Sequence, residues 1–597
     1  MTAYFLLRSR SGNLLLRIFF VGLCWLLAAV GHRGQAQTPI PVPPEEIEPQ
    51  PRPPILPIPP EETEPQLLPP VDVPLDEDVP PVTPDPGSEI PGTITVQEFE
   101  IIGGTVFSRA ELQQAIAEFT NANLTFAQLL QAAERITQLY LDQGYITSGA
   151  YIPSQELRGD TVTIQVVEGR IEEINVNVLE ERLNPNYIRD RLALGTATPL
   201  NINDLQEALQ LLQLNPLIES INADLTAGTQ AGTNILDVTV TGAETFNMRV
   251  ALNNNRNPSV GSFERRTEIT EANLLGWGAR ASIAYSNTDG SDRAELSYTL
   301  PLNARNGTLS VNYSLADNYI VEAPFDPLDI EIDIRDLNIT YAQPIIQKAT
   351  PERSQELVLA LSATRRASDS QVEGVETRIF AGADADGETR ISALRFSQEW
   401  TQRERRQVLA ARSQFSVGID AFEATVNENA PDSQFFAWRG QLLYLLLLDA
   451  TADASGGPTL LLRSDLQLAT DSLLSLEQFA LGGQFTVRGY RQNALLSDNG
   501  VLAAAEVRLP IAQAESLRST LQVVPFVDFG YAWNTNRADP ETDTLIGIGL
   551  GLLWQGENLS ARLDFGIPLT DTDSVGDEST WQENGVYFQV EYNFNPF

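Results

Sequence analysis

From residue 246 to residue 597 the sequence keeps a period of two, and no part of it reads as a convincing helix. In 309 to 315, Leu309, Val311, Tyr313 and Leu315 alternate with Ser310, Asn312 and Ser314. In 277 to 287, Trp277, Ala279, Ala281, Ile283 and Tyr285 share one face, and Gly278, Arg280, Ser282 and Ser286 the other. In 586 to 594, Val586, Phe588, Val590, Tyr592 and Phe594 alternate with Gln589, Glu591 and Asn593. Successive strand side chains point to opposite sides, so each run has one apolar and one wet face. Runs of about 10 to 14 residues fit a closed barrel with lipid outside and water inside. A soluble β-sandwich explains neither the apolar face repeated on most strands nor the export signal described below.

About sixteen such strands begin near 246, 264, 277, 292, 306, 331, 355, 389, 406, 434, 458, 500, 519, 543, 559 and 585. The number is even, as single-chain bacterial barrels require. Connections after odd strands tend to be long (316–330, 367–388, 419–433, 470–499 and 569–584). Those after even strands are mostly short (275–276, 302–305, 403–405 and 556–558). Long outer loops and short periplasmic turns have that asymmetry. Residues 245–597 are thus expected to be a 16-stranded outer-membrane barrel.

The N-terminus supplies the export signal. Arg8, Arg10 and Arg17 form a positive region, Ile18 to Val30 an apolar run, and Gly34-Gln35-Ala36 a small-residue cleavage site. A run of about 13 residues suits a signal core and is short for a transmembrane helix. Residues 1–36 are therefore expected to be a secretory signal peptide. It contains Cys24 and His32, the chain's single cysteine and single histidine. Cleavage would remove disulfides, thiolate nucleophiles, His-based triads and most zinc sites from consideration.

Other function classes fall to charge and motif. With 39 Lys+Arg against 79 Asp+Glu, a net of -40, the surface repels phosphate backbones, so no nucleic acid partner is expected. There is no Gly-x-x-x-x-Gly-Lys-Ser/Thr for a nucleotide and no Gly-x-Ser-x-Gly for an acyl-transfer enzyme. No enzyme activity, cofactor or metal is expected.

Residues 37–92 are rich in Pro and acid. Pro43-Pro44-Glu45-Glu46-Ile47-Glu48-Pro49-Gln50 returns as Pro59-Pro60-Glu61-Glu62-Thr63-Glu64-Pro65-Gln66. Such a segment favours extended polyproline II and reads as a semi-rigid linker.

Between linker and barrel one βααββ pattern occurs twice, over 93–169 and 170–244. In the first, Ile94, Val96, Phe99, Ile101 and Ile102 mark one strand. Ser108 with Glu111, and Thr125 with Gln128, are capping boxes. The second helix places Phe126, Leu129, Leu130, Ala133, Ile136, Leu139 and Tyr140 on one face, and Gly144 ends it. Strands follow around Tyr145–Ile152 and Thr161–Val167. In the second unit, Ile171–Val178 is a strand and Pro185 opens a helix. Asn203 with Gln206 is expected to cap another helix, with Leu205, Leu209 and Leu212 inward. Strands follow near Ile218–Leu225 and Asn234–Val240. Each unit reads as a helix pair on a three-stranded sheet.

Two segments of the barrel are more specific. The longest outer loop, 470–499, contains Leu481-Gly482-Gly483 and Val487-Arg488-Gly489-Tyr490. A later strand contains Phe526-Val527-Asp528-Phe529-Gly530. There Val523, Val527, Phe529, Tyr531 and Trp533 share the lipid face, so Asp528 points inward with Phe526, Gly530 and Ala532. On the next strand Gly547, Gly549 and Gly551 fall on the lumen face and leave room there.

These segments, behind two βααββ units, resemble the transporter half of two-partner (type V) secretion, the hemolysin secretion/activation proteins. That family lies in the superfamily of polypeptide-transport barrels with periplasmic POTRA domains. Gly144-Tyr145-Ile146-Thr147 and Val167-Glu168-Gly169-Arg170 look like its POTRA wording. The resemblance implies tandem POTRA domains before an outer-membrane barrel. It implies that loop 470–499 folds inward and that Arg488 reaches Asp528. It also implies a secreted partner protein, a large adhesin- or hemolysin-like exoprotein, which the POTRA domains bind unfolded and the barrel moves to the cell surface. The expected partner-binding edge is the strand around Tyr145, Ile146, Tyr151 and Ile152, beside Leu139 and Tyr140. Outer-membrane lipid and the barrel assembly machinery are the other expected partners, the latter because terminal Phe597 looks like an assembly signal despite Pro596. A family plug helix is not legible in the Pro-rich region. The alternatives are an outer-membrane assembly, insertion or import component of the same superfamily, and a passive porin.

Overall fold

The computed structural model describes residues 75–77, 93–156, 160–179, 182–428, 431–449, 457–514, 518–572 and 580–594. The expected signal peptide with Cys24 and His32, all of the Pro-rich segment except 75–77, and the terminal Pro596 and Phe597 lie outside the described residues.

A three-residue strand, β1 (Leu75–Glu77), comes from the Pro-rich region. The expected single strand over 94–102 is two, β2 (Thr93–Val96) and β3 (Glu98–Ile102). The break is held at Gln97, whose backbone N–H and side-chain amide both donate to Asp160, at 2.7 and 2.8 Å. Both capping boxes form: Ser108 with Glu111 opens α1 (Arg109–Ala115). Thr125, the last residue of β4 (Ala122–Thr125), opens α2 (Phe126–Asp142) with Gln128. Leu129, Ala133, Ile136 and Tyr140 of α2 are buried as the spacing requires, whereas Phe126 in the first turn is exposed. Gly144 follows the helix at φ +87°, a conformation that costs glycine little.

The strand expected over Tyr145–Ile152 is only β5 (Gly149–Tyr151), because residues 143–147 are spent on the turn that ends α2. β5 pairs antiparallel with β6 (Thr161–Val167), which pairs parallel with β3.

The second unit runs β7 (Arg170–Leu179), α3 (Pro185–Leu192), α4 (Ile202–Gln213), β8 (Ile218–Ala227) and β9 (Thr233–Gly242). Leu205, Leu209 and Leu212 are buried. The cap of α4 is Asn201, not Asn203: the Asn201 side chain accepts the Asn203 N–H at 2.9 Å, so the helix starts two residues earlier than expected. The sheet has four strands in the order β1-β8-β9-β7 rather than three. β1 pairs parallel with β8, Leu75 opposite Ala223 and Glu77 opposite Leu225, so part of the linker is a sheet strand.

The barrel closes through sixteen long strands. They are β10 (Phe246–Asn253), β11 (Glu264–Glu271), β12 (Arg280–Asn287), β13 (Ser291–Pro301), β14 (Thr308–Tyr319), β15 (Ile330–Ala349), β16 (Arg353–Val372), β18 (Glu388–Glu404), β19 (Gln407–Gly418), β20 (Phe436–Leu447), β21 (Thr459–Ala469), β24 (Asn499–Ala514), β25 (Ser519–Trp533), β26 (Thr544–Gln555), β27 (Leu559–Pro568) and β28 (Val586–Phe594). A two-residue β17 (Val375–Glu376) doubles back on β16. Every neighbour is antiparallel, and β28 returns to β10 with Met248 opposite Phe594.

Two expectations change. Strand lengths spread from 8 residues in β10 to 20 in β15 and β16, wider than 10 to 14. Trp277 lies in the turn before β12 rather than on the strand, because Gly276 and Gly278 both take positive φ there. Outward residues such as Ile283, Leu296, Val527 and Leu550 are exposed apolar, while inward ones such as Arg249, Glu268, Ser286 and Asn318 are buried polar. At one end of β19 to β21 the lumen face is apolar instead, with Val408, Ala410, Leu443, Leu445 and Leu461 in one cluster. The second unit meets the barrel turns: Asn184 donates its N–H to the Gly276 carbonyl at 2.7 Å, and Arg191 Nε donates to Asn306 Oδ1 at 3.0 Å.

Candidate functional site: a loop arginine inside the barrel

The segment between β21 and β24 contains a short hairpin, β22 (Phe479–Leu481) with β23 (Leu495–Ser497). Between its arms lies Val487-Arg488-Gly489-Tyr490. Arg488 is 0 % exposed, the largest fully buried side chain among the described residues. A guanidinium cannot shed its charge, so complete burial demands anions at hydrogen-bonding distance. Asp528 supplies them in a fork: Nε donates to Oδ2 at 2.7 Å and Nη2 to Oδ1 at 2.8 Å. The Arg488 backbone N–H also donates to Asp528 Oδ2, at 3.1 Å. The ring of Phe526 lies 3.5 Å from the guanidinium carbon, a cation–π contact in a dry site. Both strand-motif residues therefore touch Arg488, one with each kind of surface.

The flanking loop residues fix its backbone. Gly489 has φ +106°, and its N–H donates to the Tyr587 hydroxyl at 2.9 Å. That hydroxyl donates to the Tyr490 carbonyl at 2.6 Å. Tyr490 in turn donates its hydroxyl to the Ile546 carbonyl at 2.9 Å. Val487 is fully buried with Leu481, Leu502 and Ala532.

The three lumen glycines divide their work. A side chain at Gly547 would strike the Arg488 carbonyl, so this glycine admits the loop. One at Gly549 would strike the Phe526 ring, and one at Gly551 the Asp564 carboxylate. Only the first makes room for the loop directly; the other two seat its partners. Gly530 and Gly566 also lie against the loop, at Val487 and at Gly489.

Sequence reasoning missed the rest of the charge cluster. Arg488 Nη1 donates to Glu506 Oε2 on β24 at 3.1 Å and lies 3.9 Å from Asp564 Oδ2 on β27. Arg562 donates to both acids, to Glu506 Oε2 at 2.9 Å and Asp564 Oδ2 at 2.7 Å, and Arg508 donates to Glu506 Oε1 at 2.7 Å. The signal was available: Glu506, Arg508, Arg562 and Asp564 all sit on lumen faces of strands whose other side is apolar.

The expected partner-binding edge is different in kind. Tyr140 is fully buried and its hydroxyl donates to Glu168 at 2.9 Å, so it belongs to the core. Tyr145 and Ile146 lie in the turn, Leu139 and Ile152 are half-buried, and Tyr151 is exposed. The middle residue of β5, Ala150, gives its N–H to Thr137 Oγ1 of α2 at 2.9 Å. The edge is thus capped by a helix side chain. The POTRA-like wording next to it builds the joint between the two units. Leu200 and Ile202 donate their N–H groups to the carbonyls of Gly169 and Gly144 at 2.8 and 2.9 Å. Glu168 accepts from Thr105 Oγ1 at 2.8 Å and from the N–H groups of Thr105 and Val106 at 2.5 and 3.0 Å. Partial burial raises its pKa, but these donors outweigh that and hold it below the usual glutamate value.

The chain is similar to known proteins in sequence and fold. Residues 232–553 match the haemolysin secretion/activation protein ShlB/FhaC/HecB family, and residues 94–169 match the ShlB-type POTRA domain. The chain is 20% identical over 486 residues to the outer membrane transporter CdiB of Dickeya dadantii, covering 80% of this chain and 83% of that protein. It is 23% identical over 515 residues to CdiB of Escherichia coli, covering 82% of each. To the heme/hemopexin transporter protein HuxB of Haemophilus influenzae it is 22% identical over 445 residues, covering 70% and 72%. The solved structure of CdiB from Escherichia coli has the same fold, with TM-score 0.63 and 20% identity, over 86% of this chain and 93% of that one.

Proposed function

The chain belongs to the haemolysin secretion/activation family, outer-membrane transporters of two-partner secretion whose POTRA units stand in the periplasm, and we propose that Arg488 is the catch that sets its transport state. The secreted partner, a large adhesin- or hemolysin-like exoprotein, arrives unfolded, engages the first POTRA unit and passes through the bore. The loop carrying Arg488 fills part of that bore, so it must be placed correctly at rest and yield to the passing chain. The observation behind this reading is the completely buried fork from Arg488 to Asp528. A forked pair fixes direction as well as distance, which a point charge does not.

Recognition follows from chain chemistry. An unfolded polypeptide offers unpaired backbone groups, and strand addition satisfies them. β8 already carries β1 on its edge, so the edge of β5 beside α2 is the better candidate, with exposed Tyr151 and half-buried Leu139 and Ile152 as side-chain contacts. Thr137 must release Ala150 for that to happen. Surrounding lipid and the barrel assembly machinery are the remaining partners of such a barrel.

The deciding experiment replaces Arg488 by Ala in cells and measures export of the partner at matched levels of folded, heat-modifiable barrel. Loss of export is expected. Export at the parental rate removes Arg488 from the mechanism.

A further inference from the structure

The loop has a second charged foothold, on another part of the wall. Glu477 stands at its root, in a 3-10 turn (Ser475–Glu477), with its side chain only 6% exposed. Two arginines from adjacent strands reach one of its oxygens: Arg395 Nη2 of β18 at 2.6 Å and Arg366 Nη1 of β16 at 3.2 Å. Arg366 Nη1 also donates to the Leu476 carbonyl at 2.8 Å, and Gln467 Nε2 to the Glu477 carbonyl at 3.0 Å. Next to it Leu473, Leu474 and Leu476 pack on Ile391, Ala393, Phe435 and Ala437.

The positions of the two footholds matter. Counting round the closed barrel from β10, Glu477 is held by the seventh and eighth strands. The Arg488 tip is held by the twelfth through sixteenth, through Glu506, Asp528, the Gly547 gap, Asp564 and Tyr587. The loop therefore spans the bore. A cavity of about 530 Å³ remains beside it, with Leu476 and Glu477 on its loop side and Arg366, Arg395, Arg412 and Arg439 among its wall residues.

We propose that Glu477 is a second catch, which keeps the loop across the bore when Arg488 alone is released. It is a positioning residue that acts through Arg366 and Arg395. Release of the tip leaves the root pinned, so the first movement is a swing of the tip about residue 477. Full clearance of the bore requires the carboxylate to leave its arginines, which joins the present cavity to the space that the loop held. The proposal builds on the catch role given to Arg488.

Single-channel recording of the purified full-length protein in planar bilayers tests it with E477Q, R488A and the double variant, each first shown to be heat-modifiable. E477Q should raise the ratio of open to closed time by roughly tenfold or more, the population change expected when the charge-assisted hydrogen bonds from Arg366 and Arg395 are both weakened. The double variant should open further than R488A. Exchanging the charges, E477R with R395E, should bring the ratio closer to the parental value than E477R alone does, with Arg366 still opposing full recovery; a mere packing role would give no such rescue. An E477Q channel identical to the parent, with the double variant identical to R488A, overturns the proposal. An effect of E477Q with none from R488A sinks the Arg488 reading and leaves Glu477 as the single catch. If E477Q fails to fold, the charge exchange decides: gating closer to the parent than that of E477R alone supports the pair, and gating no different from E477R refutes it.

Discussion

Arg488 in the barrel and Glu168 in the periplasmic unit do the same kind of work in different solvents. Each is one charged side chain that ties two distant stretches of chain together, 488 to 528 and 168 to 105. Arg488 is wholly out of water, while Glu168 is only part-buried. Breaking a buried pair strands a bare charge in a poor solvent, which is far more costly than the pair was favourable. Breaking a hydrated one lets water take the vacated place. The bore motif should therefore behave as an all-or-none device and the Glu168 motif as a graded one.

Substitution at Arg488 gives the largest test of that contrast. R488K keeps the charge and loses the fork, so it should still fail to hold the loop, with a destabilisation of roughly 3 kcal/mol, near that of removing one partner of a buried pair. Protease cleavage within residues 478–494 of the folded barrel would report it; a protected R488K loop would mean that charge alone suffices. Next, G547A should displace the loop without touching any charge, because the new methyl meets the Arg488 carbonyl. Its loop should be cleaved faster than that of the parent, by roughly 1 to 3 kcal/mol of overpacking. Equal cleavage would show that β26 can move aside.

The graded end of the comparison is smaller. The folded pKa of Glu168 lies below its ordinary value, so its contribution is present above pH about 4.5 and is lost as pH falls through the folded pKa. Hydrogen exchange at the Thr105 and Val106 amides should accelerate in that acid window beyond its intrinsic pH trend, and E168Q should remove the extra acceleration. A parent and variant with the same profile would exclude the carboxylate. The smallest effect is expected of T137V, which keeps the shape and removes the acceptor at Ala150. It should bind the unfolded partner more tightly, by about 1 kcal/mol, if strand addition at β5 competes with that hydrogen bond; weaker binding would place the contact elsewhere.

What was legible in the sequence follows the same division. In the barrel the two-residue period fixes the face of every side chain, so Asp528 inward and Val527 outward could be read before any fold was known. Strand starts were readable to within three residues for the same reason, since β12 begins at Arg280 rather than 277. The resemblance, not the period, paired Arg488 with Asp528, because alternation says nothing about which loop enters a bore. Glu506 and Asp564 were open to the same parity argument and were lost only because the motif drew attention to one acid. In the small units the helices declared themselves by capping boxes, yet β5 shrank to Gly149–Tyr151 because the turn after α2 consumed the residues before it. Tyr140 looked like a surface neighbour and is core, since it continues the inward face of α2 that carries Leu129, Ala133 and Ile136. The pairing of β1 with β8 had no local signal, as Leu75–Glu77 differs little from the Pro-rich text around it.

Gly547 sets a gauge for the whole catch. At this point the bare main chain of β26 passes the Arg488 carbonyl with no room for a side chain between them. A guanidinium has a fixed length of arm, and Asp528 stands on the strand beside that crossing. Widening the gap by a single carbon would leave the arm too short to grasp both oxygens, though neither charge had changed. The fit of the longest side chain in the site is thus dictated by the shortest one.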